Sequence, residues 1–76
     1  MQTTLDRLRL GMRAVVTGID VSTELKSRLS DFGLVPGIRV CCRYRSPGGQ
    51  VTALELRGTV IALRTGDMKK IRVQCL

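Results

Sequence analysis

Apolar and polar residues alternate with a period of two through most of this chain, and with a helical period in one place only. From Ile38 to Arg45 the alternation is unbroken: Ile38, Val40, Cys42 and Tyr44 fall on one face, and Arg39, Cys41, Arg43 and Arg45 on the other. Successive side chains of a strand point to opposite faces. The segment is therefore predicted to be a strand with its first set in the core and its second set as an external basic stripe. Arg13 to Ile19 reads as an earlier strand with Ala14 and Val16 inward, and Gly18 allows a bulge or sharp bend. Val51 to Leu56, Thr59 to Leu63 and Ile71 to Cys75 give three more strands. Leu5, Leu8 and Leu10 form an apolar lead-in before Gly11.

The helical period lies in Ser22 to Phe32, where Leu25, Leu29 and Phe32 recur at i, i+4 and i+7. Ser22 or Thr23 can cap its start by accepting from the exposed first-turn N–H groups. Gly33 suits a left-handed stop, with Leu34 folding back on the helix. Val35-Pro36-Gly37 then reads as a turn, since Pro fixes φ and Gly permits a positive φ. Ser46-Pro47-Gly48-Gly49 and Arg57-Gly58 mark hairpin connections, and Thr65 to Met68 fits a short turn or one helical turn. The predicted architecture is mainly β: a small barrel or sandwich of about five strands, with one α-helix inserted after the first. Closure into a barrel would remove free sheet edges.

Length sharpens this picture. Seventy-six residues are enough for one domain, 1–76, and no more. A chain this short buries only about 60% of the surface it exposes when unfolded, which favours a binding or regulatory module over a deep catalytic cleft. Phe32 and Tyr44 are the only aromatic residues, so the core is expected to be aliphatic.

Charge points outward. Thirteen Lys and Arg stand against six acids, a net charge of +7. Such a balance suits nucleic acid, an anionic surface or an acidic protein partner, and equally a solvated face. The arginines Arg39, Arg43, Arg45, Arg57 and Arg64 lie on or beside predicted strands, and Arg28 lies on the helix.

Candidate chemistry is sparse. There is no His, no Cys-x-x-Cys, no phosphate-binding glycine loop and no paired carboxylates at helical spacing. The six acids are scattered and there is no His to join them, so no transition-metal site is expected within one chain. No cofactor, metal site or catalytic residue is expected, and the chain reads as a non-enzyme. The three cysteines, Cys41, Cys42 and Cys75, are an odd count that fits free thiols in a reducing cytoplasm. Nothing near Met1 reads as a signal peptide, and no apolar run approaches a membrane span.

Three segments together resemble the FeoA family of bacterial ferrous iron transport accessory proteins. The first is Leu8-x-Leu10-x-x-x-x-Ala14-x-Val16-x-x-Ile19. The second, and most specific, is Arg28-Leu29-Ser30-Asp31-Phe32-Gly33-Leu34-Val35-Pro36-Gly37. The third is Arg57-Gly58-Thr59-Val60-Ile61-Ala62-Leu63-Arg64, followed by Ile71-Arg72-Val73. The resemblance implies an SH3-like barrel and a small cytoplasmic accessory of ferrous iron uptake. Its implied partner is the companion membrane permease, through that protein's cytoplasmic GTP-binding domain. The expected partner-binding residues are Arg28, Leu34, Pro36, Gly37, Arg39, Arg43, Arg45, Arg57 and Arg64. A nucleic-acid-binding barrel is the alternative. Single-strand binders usually stack bases on exposed aromatics, and both aromatics here are expected on apolar faces. Self-association through an exposed apolar patch is a third reading.

Overall fold

A computed structural model describes residues 1–76. Six strands form one antiparallel sheet in the order β1-β6-β2-β3-β4-β5. They are β1 (Gln2–Thr4), β2 (Arg13–Ile19), β3 (Arg39–Arg45), β4 (Val51–Leu56), β5 (Thr59–Arg64) and β6 (Ile71–Cys75). Helix α1 (Thr23–Asp31) connects β2 to β3, one helical turn, α2 (Thr65–Met68), connects β5 to β6, and a 3₁₀ turn spans Leu5–Arg7. The mainly β, SH3-like architecture is as expected, with two differences in the sheet. The strand count is six, because Gln2–Thr4 pairs with β6 through Gln2↔Gln74, Thr3↔Val73 and Thr4↔Arg72. The sheet is also not closed: β1 and β5 are its edges, and no ladder joins them.

One core of sixteen buried side chains lies inside the curled sheet. Every strand from β2 to β6 contributes, and Leu5, Leu8, Leu29, Leu34 and Met68 come from the connections. It is wholly aliphatic apart from Met68 and Cys42. Leu10, the last residue of the apolar lead-in, stays outside at 59% exposure.

Helix α1 begins and ends as its sequence directs. The Ser22 hydroxyl accepts from the Leu25 N–H at 3.3 Å. At the other end, Gly33 N–H donates to Ser30 O at 2.9 Å and Leu34 N–H to Leu29 O at 2.9 Å. This paired closure needs a left-handed residue after the cap, and Gly33 supplies it at φ 92°. Leu34 is thereby folded into the core beside Leu29, with 1% exposure. Phe32 is correspondingly left outside at 58% exposure. Its expected place on the helix's buried stripe is corrected: the chain reverses at Gly33, and Leu34 takes the core position.

Two bulges reset the strands. The β2–β6 register shifts between Val16 and Gly18, as Gly18 suggested. The β3–β4 register shifts between Cys42 and Tyr44, and this one changes which side chains face inward. Before it, Val40 and Cys42 are buried. After it, Tyr44 is 58% exposed and Arg45 is half-buried. Because a bulge places two residues against one, the inside–outside phase reverses. Tyr44 therefore leaves the core face assigned to it, and Arg45 leaves the external stripe.

Candidate functional site

The structure distributes the expected partner-binding residues over separate places. Arg39, Arg43 and Arg57 come together, with Arg13, around a shallow groove of about 310 Å³ that also touches Cys41 and Glu55. Arg39 reaches it from the outer face of β3 ahead of the bulge, and Arg43 reaches it from the bulge itself, where it still points outward. Arg57 reaches it from the two-residue hairpin Arg57-Gly58, with φ of 51° and 77°, values that fit the turn favoured by strand twist. Glu55 pairs with Arg43 across the β3–β4 ladder. That hydrogen bond and the charge of Glu55 push the Arg43 guanidinium pKa above its ordinary value, so Arg43 is a fixed positive charge. Arg13, opposite Cys41 in the β2–β3 register, is a member of this cluster that spacing did not single out. Its signal was the outward phase of β2.

Arg28 and Arg64 meet elsewhere, on a groove of about 540 Å³ between α1 and β5. Phe32 and Val60 line it as well. Both are exposed, Val60 at 59%. Phe32 was placed in the core on helical spacing alone, and no local signal marks Val60. Asp67 from α2 is the groove's one acidic residue.

Leu34, Pro36 and Gly37 make the third place. Leu34 is buried at 1% exposure and forms the floor of a small cleft. Pro36 is exposed and lines the same cleft with Lys26 and Ser30 of α1. Gly37, at φ 95°, donates its N–H to Val16 O at 2.7 Å and so ties the turn to β2. Arg45 belongs to none of these places. Its Nη2 donates to the Leu8 carbonyl at 2.7 Å and its Nε to Thr52 Oγ1 at 3.2 Å. It ties the lead-in to β3 and β4.

No group of three or more His, Cys, Asp or Glu side chains lies together. Cys41 and Cys75 are half-buried and Cys42 is buried, and all three are free thiols. Burial pushes the Cys42 thiol pKa up, and the neighbouring Arg45 charge offsets part of this. No helix is long and apolar enough to cross a membrane.

The FeoA domain family matches residues 3–75. The chain belongs to the FeoA family. A Campylobacter jejuni protein named "Putative Fe(2+) transport protein A" is 27% identical over 73 residues, 96% of this chain and 99% of that protein. Among solved structures, FeoA from Chlorobium tepidum superimposes with a TM-score of 0.94 at 28% identity, covering 97% of this chain and 70% of that one. Stenotrophomonas maltophilia FeoA, solved with zinc and described as a prokaryotic SH3 domain protein, is 30% identical with a TM-score of 0.80. It covers 95% of this chain and 89% of that one. The family and fold expected from the three sequence blocks are thus shown, and FeoA membership supports a role in ferrous iron uptake.

Proposed function

We propose that this FeoA-family chain is a non-catalytic cytoplasmic accessory, a single 1–76 unit that docks on the GTP-binding domain of a ferrous iron permease and modulates transport or nucleotide turnover. Family membership supports the uptake role. The observation that carries the docking reading is the groove of Arg13, Arg39, Arg43 and Arg57, where four arginines meet one glutamate. One carboxylate cannot neutralise four guanidinium groups, so the surface attracts an acidic partner and accelerates its approach. Arg39, Arg43 and Arg57 are its expected contacts, with Pro36 and Gly37 at the nearby turn outside this groove. Iron is the cargo of the system served.

A second reading, a nucleic-acid-binding barrel, draws on the net charge of +7 and on Tyr44, which is exposed. Tyr44 and Phe32 share none of the surface grooves, however, and two separated aromatics are not the stacking surface that single strands use.

The deciding experiment is a titration with the soluble GTP-binding domain, followed by chemical-shift perturbation and repeated with a generic oligonucleotide at two salt concentrations. A compact set of shifts centred on Arg39, Arg43 and Arg57 is expected from the permease domain. Binding by the oligonucleotide alone, abolished by salt, would overturn the docking reading.

A further inference from the structure

Strand β5 is the open edge of the sheet opposite β1. All six of its residues pair with β4 in regular register, from Val51↔Arg64 to Leu56↔Thr59. An exposed edge of this kind invites another strand, and proteins usually blunt it with Pro, Lys, a bulge or brevity. Strand β5 carries no Pro, no Lys and no bulge, and six residues is an ordinary length for a strand.

The direction of its free backbone groups follows from the ladder. Thr65 N–H donates to Gln50 O at 2.9 Å, which continues the β4–β5 register by one step. Thr65 and Gln50 are thus a hydrogen-bonded pair. Antiparallel pairs alternate between bonded and non-bonded, so Thr59, Ile61 and Leu63 turn their N–H and C=O groups toward β4. Val60 and Ala62 turn both groups away, toward the open edge, and Arg64 turns its N–H there while its C=O, at the N-cap of α2, accepts the first helical bond.

The groove between α1 and β5 runs along this edge. Its wall includes every residue from Val60 to Arg64. A groove lying over one face of a strand would be lined by alternate residues, whereas consecutive ones mark a groove beside the backbone. Its opposite wall is α1, with Leu25, Arg28 and Phe32. An added strand would find backbone donors and acceptors on one side and apolar side chains on the other.

We infer that the free edge of β5 takes an extended acidic segment of the protein partner as a seventh strand, an inference that rests on the docking reading above. Backbone pairing to Val60, Ala62 and Arg64 supplies the register, and Phe32 and Val60 supply apolar contact. Charge selects the occupant. Arg28 and Arg64 face Asp67 alone in the groove, and Arg57, just ahead of β5, continues the positive surface toward the arginines of β3. A second copy of this chain, itself at +7, would bring like charges together.

The test uses the full chain and the soluble GTP-binding domain, with residue-level amide exchange as the readout and Ala62→Pro as the main variant. The Ala62 N–H faces away from β4, so Pro at this edge position leaves the internal ladder intact. On binding, the amides of Val60, Ala62 and Arg64 should become protected. Ala62→Pro should weaken binding by about tenfold or more, with its core resonances unchanged. The pair Arg28→Glu and Arg64→Glu tests the charge independently and should weaken binding to a similar degree. If the domain binds wild type and Ala62→Pro alike, or protects other amides only, the edge inference fails and the docking reading survives. If the domain does not bind in any nucleotide state, the docking reading falls and the inference falls with it. Protection of the same amides in the protein alone, rising with concentration, or by an oligonucleotide, would assign the edge to a second copy or to nucleic acid and overturn the inference.

Discussion

Arg45 holds Leu8: its Nη2 donates to the Leu8 carbonyl at 2.7 Å, across thirty-seven positions of sequence. The same guanidinium donates to the hydroxyl of Thr52, the one buried polar side chain. No buried side-chain polar atom is left without a partner. Replacing Arg45 with Leu should therefore destabilise the fold by about 1–3 kcal/mol, the range for leaving a buried acceptor without its partner. Arg45→Lys should recover only part of this, because an ammonium lacks the planar fork that reaches both acceptors. Tyr44→Ser, one residue away on the exposed side, should change stability by less than about 0.5 kcal/mol. Urea unfolding of the three variants gives the comparison.

Glycines 33 and 18 are needed for different reasons, and alanine separates them. At Gly33 an added Cβ meets Leu56 Cδ1 at an ordinary 3.5 Å, so the penalty is that of the left-handed backbone. Gly33→Ala should cost about 1–2 kcal/mol. At Gly18 the backbone is not left-handed, and the Cβ would fall 2.2 Å from Arg72 Nη2. Arg72 is the exposed end of a flexible chain, paired with Asp20 at 3.2 Å. It can swing away at the expense of a surface ion pair, so Gly18→Ala should cost less than about 1 kcal/mol. Thermal unfolding of both variants, with Asp20→Asn as the control for the lost pair, checks the order.

Cys42 makes stability fall in alkali. Burial raises its thiol pKa above the ordinary 9.0, so above that pH the unfolded chain releases the proton before the folded one. The folded state then holds more protons, and stability declines with rising pH. This contribution is intact below pH 9 and is lost progressively until the folded thiol itself ionises. Cys42→Val removes the titrating group, and the alkaline slope of unfolding free energy should be correspondingly shallower in that variant.

Leu54 and Phe32 should respond oppositely to truncation. Leu54 is fully buried, and Leu54→Ala should cost about 2–5 kcal/mol through lost burial and a residual cavity. Phe32→Ser should leave the unfolding midpoint nearly unchanged and weaken binding of the permease domain, because the ring lines the groove while being largely exposed. A large loss of stability in Phe32→Ser would show that the ring belongs to the core.

Much of this fold was legible because its signals are local. Ser22 and Gly33 bracket α1 by backbone chemistry, and Val40, Cys42, Leu54 and Leu56 fall inward by simple alternation. The errors share a different origin. Tyr44 and Arg45 exchanged sides because the bulge after Cys42 adds a residue without a glycine to announce it. Phe32 satisfied the helical period, and only the reversal at Gly33 decided between it and Leu34. Strand β1 is three residues, Gln-Thr-Thr, whose pairing depends on β6 at the far end of the chain. For the candidate site, the arginines of β3 were visible from alternation. The meeting of Arg28 with Arg64 required knowing that α1 lies beside β5.

The strand order carries a consequence for the birth of the protein. Strand β2 is flanked by β3 and by β6, and β1 pairs with β6 alone. Strand β1 and one side of β2 therefore wait for β6 to be made, while the other side of β2 can pair with β3. The hairpins β3–β4 and β4–β5 can zip as they emerge, but the β1-β6-β2 half of the sheet cannot form until β6 has emerged. Pairings between such distant segments are slow to find. During that interval the apolar faces of β2 and the Leu5–Leu8 segment are uncovered, and crowding or heat would act on the nascent chain before it acts on the finished fold.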